Sequence, residues 1–270
     1  MTDTAPRFAP GTFTPAPGRG NTGRMLVTYA RIETLLTLRH GEQILLTLLI
    51  PLALLVGLTV LDVIPMGELT TGPGDPVSKV DWVTPRILAL AVMSSAFTGQ
   101  AISLGFDRRY GALKRLSATA LPRWTLVTGR IMSALVVVVV QVLALGGIAA
   151  LLGWQPRLAA LPMAVLLLVV GTISFGALGV LLGGALRAEI VLALANIVWF
   201  VLLGAGGILL APTALPDGLA VVVRLLPSGA LAEGLRAVFV DGTTAWSQLG
   251  VLAVWGVGAA ALATRTTKLS

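Results

Sequence analysis

Residues 131–153 read IMSALVVVVVQVLALGGIAALLG, an apolar run without a single charge. As an α-helix rising 1.5 Å per residue, the run is about 35 Å long, enough to cross a hydrocarbon core of about 30 Å. The valines at 136–140 do not alternate with polar residues, and neither do the leucines and valines at 166–170. A barrel strand, with one side to lipid and one to the lumen, would alternate. Backbone in hydrocarbon must satisfy its own hydrogen bonds, and a continuous helix does so. This stretch therefore sets the class, an all-α integral membrane protein.

Working outward, a charge at the bilayer centre costs about 2.5–3.5 kcal/mol on the insertion scale, so charges mark span boundaries. Reading between them gives six transmembrane helices, at 43–61, 87–106, 131–153, 158–186, 190–215 and 246–264. Composition agrees. Only 11% of the 270 residues are charged and 56% are hydrophobic, whereas soluble domains are about one quarter charged. Soluble enzymes are excluded on that ground. With no cysteine and the lone His40, disulfides, thiol nucleophiles and multi-histidine metal centres are excluded too.

The basic residues give an orientation. With both termini cytoplasmic, 14 of the 19 Lys and Arg fall on inner segments, while 7 of the 12 acids fall outside. The positive-inside rule favours this arrangement. Trp82, Trp124, Trp154 and Trp246 sit at span ends, as amphipathic rings do at headgroup level, whereas Trp199 and Trp255 fall mid-span. The excess of Arg over Lys, 16 against 3, points to a GC-rich bacterial genome and a bacterial plasma membrane.

Four parts follow along the chain. Residues 1–23, rich in Pro, Gly and Thr, read as a disordered cytoplasmic tail and lack the apolar core of a signal peptide. Over 24–42, Met25, Tyr29, Ile32 and Leu36 recur at helical spacing with Arg24 and Arg31 opposite. That pattern is an amphipathic interfacial helix or, as the plainer reading, an extension of the first span. The six-span domain occupies 43–264, and 265–270 form a short cytoplasmic tail. The outer connection at 211–245 is too apolar for a solvated loop and too interrupted to span. Re-entrant helices before the sixth span, or an amphipathic helix on the outer surface, both fit it.

The cytoplasmic connection between the second and third spans runs Asp107-Arg108-Arg109-Tyr110-Gly111-Ala112-Leu113-Lys114-Arg115-Leu116, then Ala118-Thr119 and Arg123-Trp124. Leu113 and Leu116 are spaced to share one helical face, with Lys114 and Arg115 projecting elsewhere. The plain reading is a basic loop that sets topology. The sharper one is a short helix presented to a cytoplasmic partner.

This segment resembles the signature of ABC-2 type permeases, the membrane subunits of type-2 ABC exporters, including daunorubicin-exporter-like drug and lipid transporters. The chain departs from it at Arg109, where a second acid is frequent, and at Ala120, where Pro usually follows Thr. The resemblance extends from Arg24 to Thr264. It takes in Leu38-Arg39-His40 with Ile50-Pro51, and Leu226-Pro227-Ser228-Gly229-Ala230 running on to Arg236. It implies two six-helix permeases, identical or paralogous, coupled to separate cytoplasmic ATPase subunits that hold ATP and Mg. It also implies that the coupling helix comprises Asp107, Arg108, Arg109, Gly111, Leu113, Lys114, Arg115 and Leu116, and that paired re-entrant helices precede the sixth span.

No Gly-Lys-Ser/Thr phosphate loop occurs in the chain, so ATP hydrolysis falls to another subunit and the chain binds no cofactor itself. Its expected partners are ATPase subunits, a second permease and the bilayer, not nucleic acid. Among polar groups within the spans, Gln100, Gln141 and Asn196 are candidates for a substrate path, against the plainer reading of hydrogen-bonded helix contacts. Gly179 and Gly183 have the GxxxG spacing of close helix packing. The expected function is outward movement of an amphipathic drug, lipid or glycolipid. A stand-alone secondary carrier, or a membrane assembly subunit without transport, are the alternatives.

Overall fold

A computed structural model describes residues 21–39, 41–61, 70–71, 75–117, 122–208 and 216–266. Of the tail expected over 1–23, residues 1–20 lie outside the described residues, as do His40, the turn through 118–121 and residues 267–270, whereas Thr22 and Gly23 already belong to the first helix. The chain is all-α apart from a two-residue antiparallel pairing of Thr70–Thr71 with Asp75–Pro76.

The helices are α1 (Thr22–Arg39), α2 (Gly41–Val60), α3 (Lys79–Val92), α4 (Gln100–Arg109), α5 (Ala112–Ser117) and α6 (Arg123–Leu151). They continue with α7 (Leu161–Ala185), α8 (Ala188–Ala205), α9 (Asp217–Leu225), α10 (Pro227–Arg236) and α11 (Trp246–Thr266). A π-helical segment, Met93–Gly99, joins α3 to α4 without a break, giving one helix of 31 residues from Lys79 to Arg109. Ser78 starts it, its hydroxyl accepting the Asp81 amide at 3.2 Å, which satisfies one of the donors every helix start leaves open. Pro162 and Pro227 stand in the first turns of α7 and α10, where a missing amide proton costs nothing.

Among the described residues, four helices are long and apolar enough to cross a membrane: Lys79–Arg109, Trp124–Leu151, Leu158–Ala185 and Trp246–Arg265. Shorter apolar helices cover Thr47–Val60 and Ala188–Gly204. Large apolar side chains such as Leu143, Leu151, Val254 and Val257 point outward, fully exposed. Helices that are apolar on all sides belong in lipid.

At the centre stands α7, whose inner face is built of small residues. A Cβ on Gly179 would lie 2.6 Å from the Phe97 carbonyl oxygen, and one on Gly183 would lie 2.5 Å from that of Ala101. The GxxxG spacing thus lets α7 meet the backbone of the long second helix directly, at the end of its π segment. The two mid-span tryptophans are anchors rather than headgroup belts. Trp199 donates its indole N–H to Ser94 Oγ at 2.9 Å, and Trp255 donates to the Leu225 carbonyl at 2.8 Å. A buried indole donor requires such a partner.

The connection before α11 is a bent pair. α9 and the helix formed by α10 with its π-helical continuation Ala237–Asp241 meet at 91°. Their corner lies level with Trp255, nine residues and about 13 Å into α11. There Ser228 donates to the Gly206 carbonyl at 2.8 Å, and α10 then runs along α7 from Gly171, which touches Leu231, to Leu167, which touches Gly234.

Candidate functional site

At the C-terminal end of the second helix, α4 stops at Arg109 and Gly111 turns the chain. Its φ of +73° is left-handed, which a glycine adopts without a Cβ penalty. The turn folds α5 back so that Leu113, 3% exposed, inserts among Tyr29, Leu104, Leu126, Val127 and Ala263. Lys114 and Arg115 are exposed on the same short helix, and Tyr110 beside it is 71% exposed. The face expected from Leu113 is therefore the anchoring face, and the basic and aromatic residues form the outward one. Leu116 belongs to α5, but its side chain lies outside the described residues.

Each charged residue before the turn has a distinct hold. Arg108 donates to the Gly184 and Leu186 carbonyls at 2.7 and 3.0 Å, filling acceptors left open where α7 ends. Arg109, standing where an acid was expected, pairs with Glu189 in the first turn of α8 at 2.7 Å, both side chains well exposed. Asp107 pairs with Arg130 of α6, and Arg130 also meets Glu33 of α1 at 3.1 Å and Ser103 at 3.3 Å. One guanidinium thus ties α1, α4 and α6 together while only 2% exposed.

That tie decides how α1 packs. Its buried stripe is Tyr29 and Ala30, continued by the half-buried Glu33 and Thr37, while Ile32 and Leu36 are exposed and Met25 is half-buried. The residues expected to form one apolar face are thus divided, with Tyr29 against protein and Ile32 and Leu36 facing outward. Gly129 makes room for Tyr29, since a Cβ there would lie 2.3 Å from the ring. Thr37 meets Ser133 at 3.3 Å and Gln141 donates to Thr47 at 3.2 Å. These rungs ascend α6 in the same direction as the chain leaves α1 for α2. Burial pushes the Tyr29 phenol well above its ordinary range, and neighbouring Arg130 only partly opposes that.

A second buried arginine holds the opposite end of the second helix. Arg86, 2% exposed, lies over the Trp82 ring at 3.9 Å, donates to the Trp82 carbonyl at 3.0 Å and pairs with Glu233 of α10 at 3.5 Å. Glu233 also meets Arg236, which reaches Asp241, both at 3.0 Å. Read along the chain, Arg86 and Arg130 were boundary charges. Each lies two turns inside its helix, because Lys79–Arg109 and α6 begin earlier than the apolar runs do.

Of the polar candidates within the spans, Gln141 and Gln100 flank one region between α2, α6 and the second helix, linked through Thr47. Asn196 is exposed on α8 and donates to its own helix at Leu192, so the structure does not bring it to the other two.

The architecture is a multi-pass helical membrane domain in which the Gly111 turn and short α5 follow the second long helix. The ABC-2 type transporter family model matches residues 20–240, most of the chain, and the chain belongs to that family. It is a membrane-spanning permease, a transport subunit rather than a catalyst. A search of curated proteins returns no match.

Proposed function

We propose that this permease belongs to an ATP-driven exporter of a bacterial plasma membrane. In this reading it moves an amphipathic drug, lipid or glycolipid outward, with ATP and Mg bound and hydrolysed by separate cytoplasmic subunits. A second permease, identical or paralogous, completes the path. The observation that carries this reading is the seat of α5. Leu113 and Arg108 fix the turn to the transmembrane body, while Tyr110, Lys114 and Arg115 stand exposed on the side opposite the anchor. A helix rigidly joined to α1, α4 and α6 can pass a push from a docked ATPase into three helices at once.

Six spans complete the topology, with α2 and α8 as the first and fifth and both termini cytoplasmic. The submerged α9–α10 corner favours re-entrant helices, since a surface helix would not lie level with Trp255. Buried in protein, such backbone is tolerated at membrane depth.

The test is purification of the full chain from its native membrane, with mass measurement of the intact complex and transport assayed after reconstitution. An ATPase subunit is expected to co-purify, and Arg115→Glu should abolish most ATP-dependent transport while leaving membrane insertion unchanged. A complex without an ATPase, or transport that persists when ATP is depleted, overturns the reading. Normal transport by Arg115→Glu removes α5 from the coupling role.

A further inference from the structure

Between α1, α2, α6 and the second helix lies a small open cleft lined by Glu33, Thr37, Thr47, Ser95, Gln100 and Val137. Along the second helix it extends from Ser103 to Ser95, eight residues or about 12 Å. It thus climbs from the Arg130 cluster to the π-helical segment, a helix variant that recurs at functional sites.

Several polar groups around this cleft offer acceptors. Ser95 has given its hydroxyl proton to the Ala91 carbonyl at 2.9 Å, and Thr37 has given its own to the Glu33 carbonyl at 2.9 Å. What remains on both oxygens is lone pairs. Gln100 lines the cleft, is 7% exposed, and its Oε1 is buried with no hydrogen-bond partner. A buried acceptor left without a donor is costly, so it calls for one. Charge points the same way, because the cluster at the lower end sets two carboxylates, Glu33 and Asp107, against the single Arg130 guanidinium. Cations are favoured there and anions are not.

We infer that this cleft is a binding site for a primary ammonium group, carried by a lipid headgroup or by a free amine. An ammonium supplies three N–H donors and one positive charge, which suits acceptors such as the orphaned Gln100 oxygen and the donated-out hydroxyls, with the Glu33 carboxylate adding negative charge toward the lower end. A trimethylammonium has the charge without the donors, and a sulfonate has neither. The inference rests on the permease reading only for what happens after binding, namely presentation of an amine-bearing molecule at the inner end of the path.

The chain has no cysteine, so Val137→Cys, in the cleft wall, makes a unique reporter in the full-length protein in phosphatidylcholine nanodiscs. Val139→Cys, on the lipid-exposed side of the same helix, cancels intrinsic reagent reactivity. The probes are the 2-aminoethyl, 2-trimethylammonioethyl and 2-sulfonatoethyl methanethiosulfonates. Relative to the control site, the aminoethyl reagent should label Val137→Cys about ten-fold faster than the trimethylammonium reagent, as expected for one charge-assisted hydrogen bond, and faster still than the sulfonate. Gln100→Leu, which removes no hydrogen bond of the fold, and Glu33→Gln should each bring that ratio close to one.

Two competitors identify the source. Slower labelling in nanodiscs containing phosphatidylethanolamine assigns the site to a lipid headgroup, and slower labelling with added ethylamine assigns it to a free amine. Equal labelling by all three reagents, a preference that survives both substitutions, or indifference to both competitors overturns the inference. None of these measurements involves an ATPase, so failure here leaves the permease reading standing, and loss of the ATPase partner leaves the cleft result standing.

Discussion

The Gly111 end of the protein, inner in the proposed orientation, and the Glu233 end, outer in it, each bury one arginine two turns inside a long helix, yet the two are built differently. Arg130 is the sole cation among Glu33, Asp107 and the buried Tyr29, and it joins three helices distant in sequence. Arg86 shares Glu233 with Arg236, and it also has the Trp82 carbonyl and ring. The inner cluster thus has no spare countercharge, and the outer one has. A buried pair is expensive to break chiefly because of the charge it strands. The same chemistry therefore makes a single-point tie next to the Gly111 turn and a redundant clasp under α10.

Arg130→Met tests the difference most severely. It strands the largely buried Glu33, while Asp107, 37% exposed, keeps access to water, and should destabilise the protein by about 3 kcal/mol, read as detergent-micelle thermal unfolding followed by tryptophan fluorescence. Adding Glu33→Gln and Asp107→Asn should restore most of that loss, because the stranded charges go with it. A single variant as stable as the parent would mean the three-helix tie carries no energy.

The outer clasp should yield less. Arg86→Met leaves Glu233 paired with Arg236, so the loss is that of its hydrogen bonds, about 1–2 kcal/mol in the same assay. Equal losses for Arg86→Met and Arg130→Met would erase the distinction drawn between the two ends. At the bottom of the range, Arg109→Ala removes an exposed pair with Glu189 and should cost less than about 1 kcal/mol. A larger loss would show that the α4–α8 contact at the turn is held electrostatically rather than by Arg108 capping α7.

Much of the fold was legible because hydrocarbon excludes charge: apolar runs had to lie between charged boundaries, and the long helices fall where those runs do. The GxxxG at Gly179 and Gly183 was legible for a related reason, since only missing side chains let two backbones touch. Arg86 and Arg130 were not. In one dimension, an arginine at the edge of an apolar run looks the same whether it meets headgroups or a carboxylate from another helix. The face of α1 that packs on protein was hidden for the same reason. Ile32 and Leu36 share an apolar stripe with Tyr29 by spacing, but Glu33 and Thr37 turn inward because Arg130 and Ser133 wait there. One signal was available: Tyr29, Glu33 and Thr37 lie four residues apart, a polar stripe beside the apolar one.

Sequence alone determined the compartment, the helical class and the family, since these depend on local quantities: charge density, uninterrupted apolar length and the order of residues around Gly111. Only the tertiary structure decided which buried charges pair and which face of α1 is inside. It also decided that Leu113 anchors while Arg115 is displayed, and that acceptors from α1 and the second helix converge on one cleft. Those outcomes depend on distances between residues far apart in the chain. A polar group's meaning in a membrane is set by the partner that meets it there.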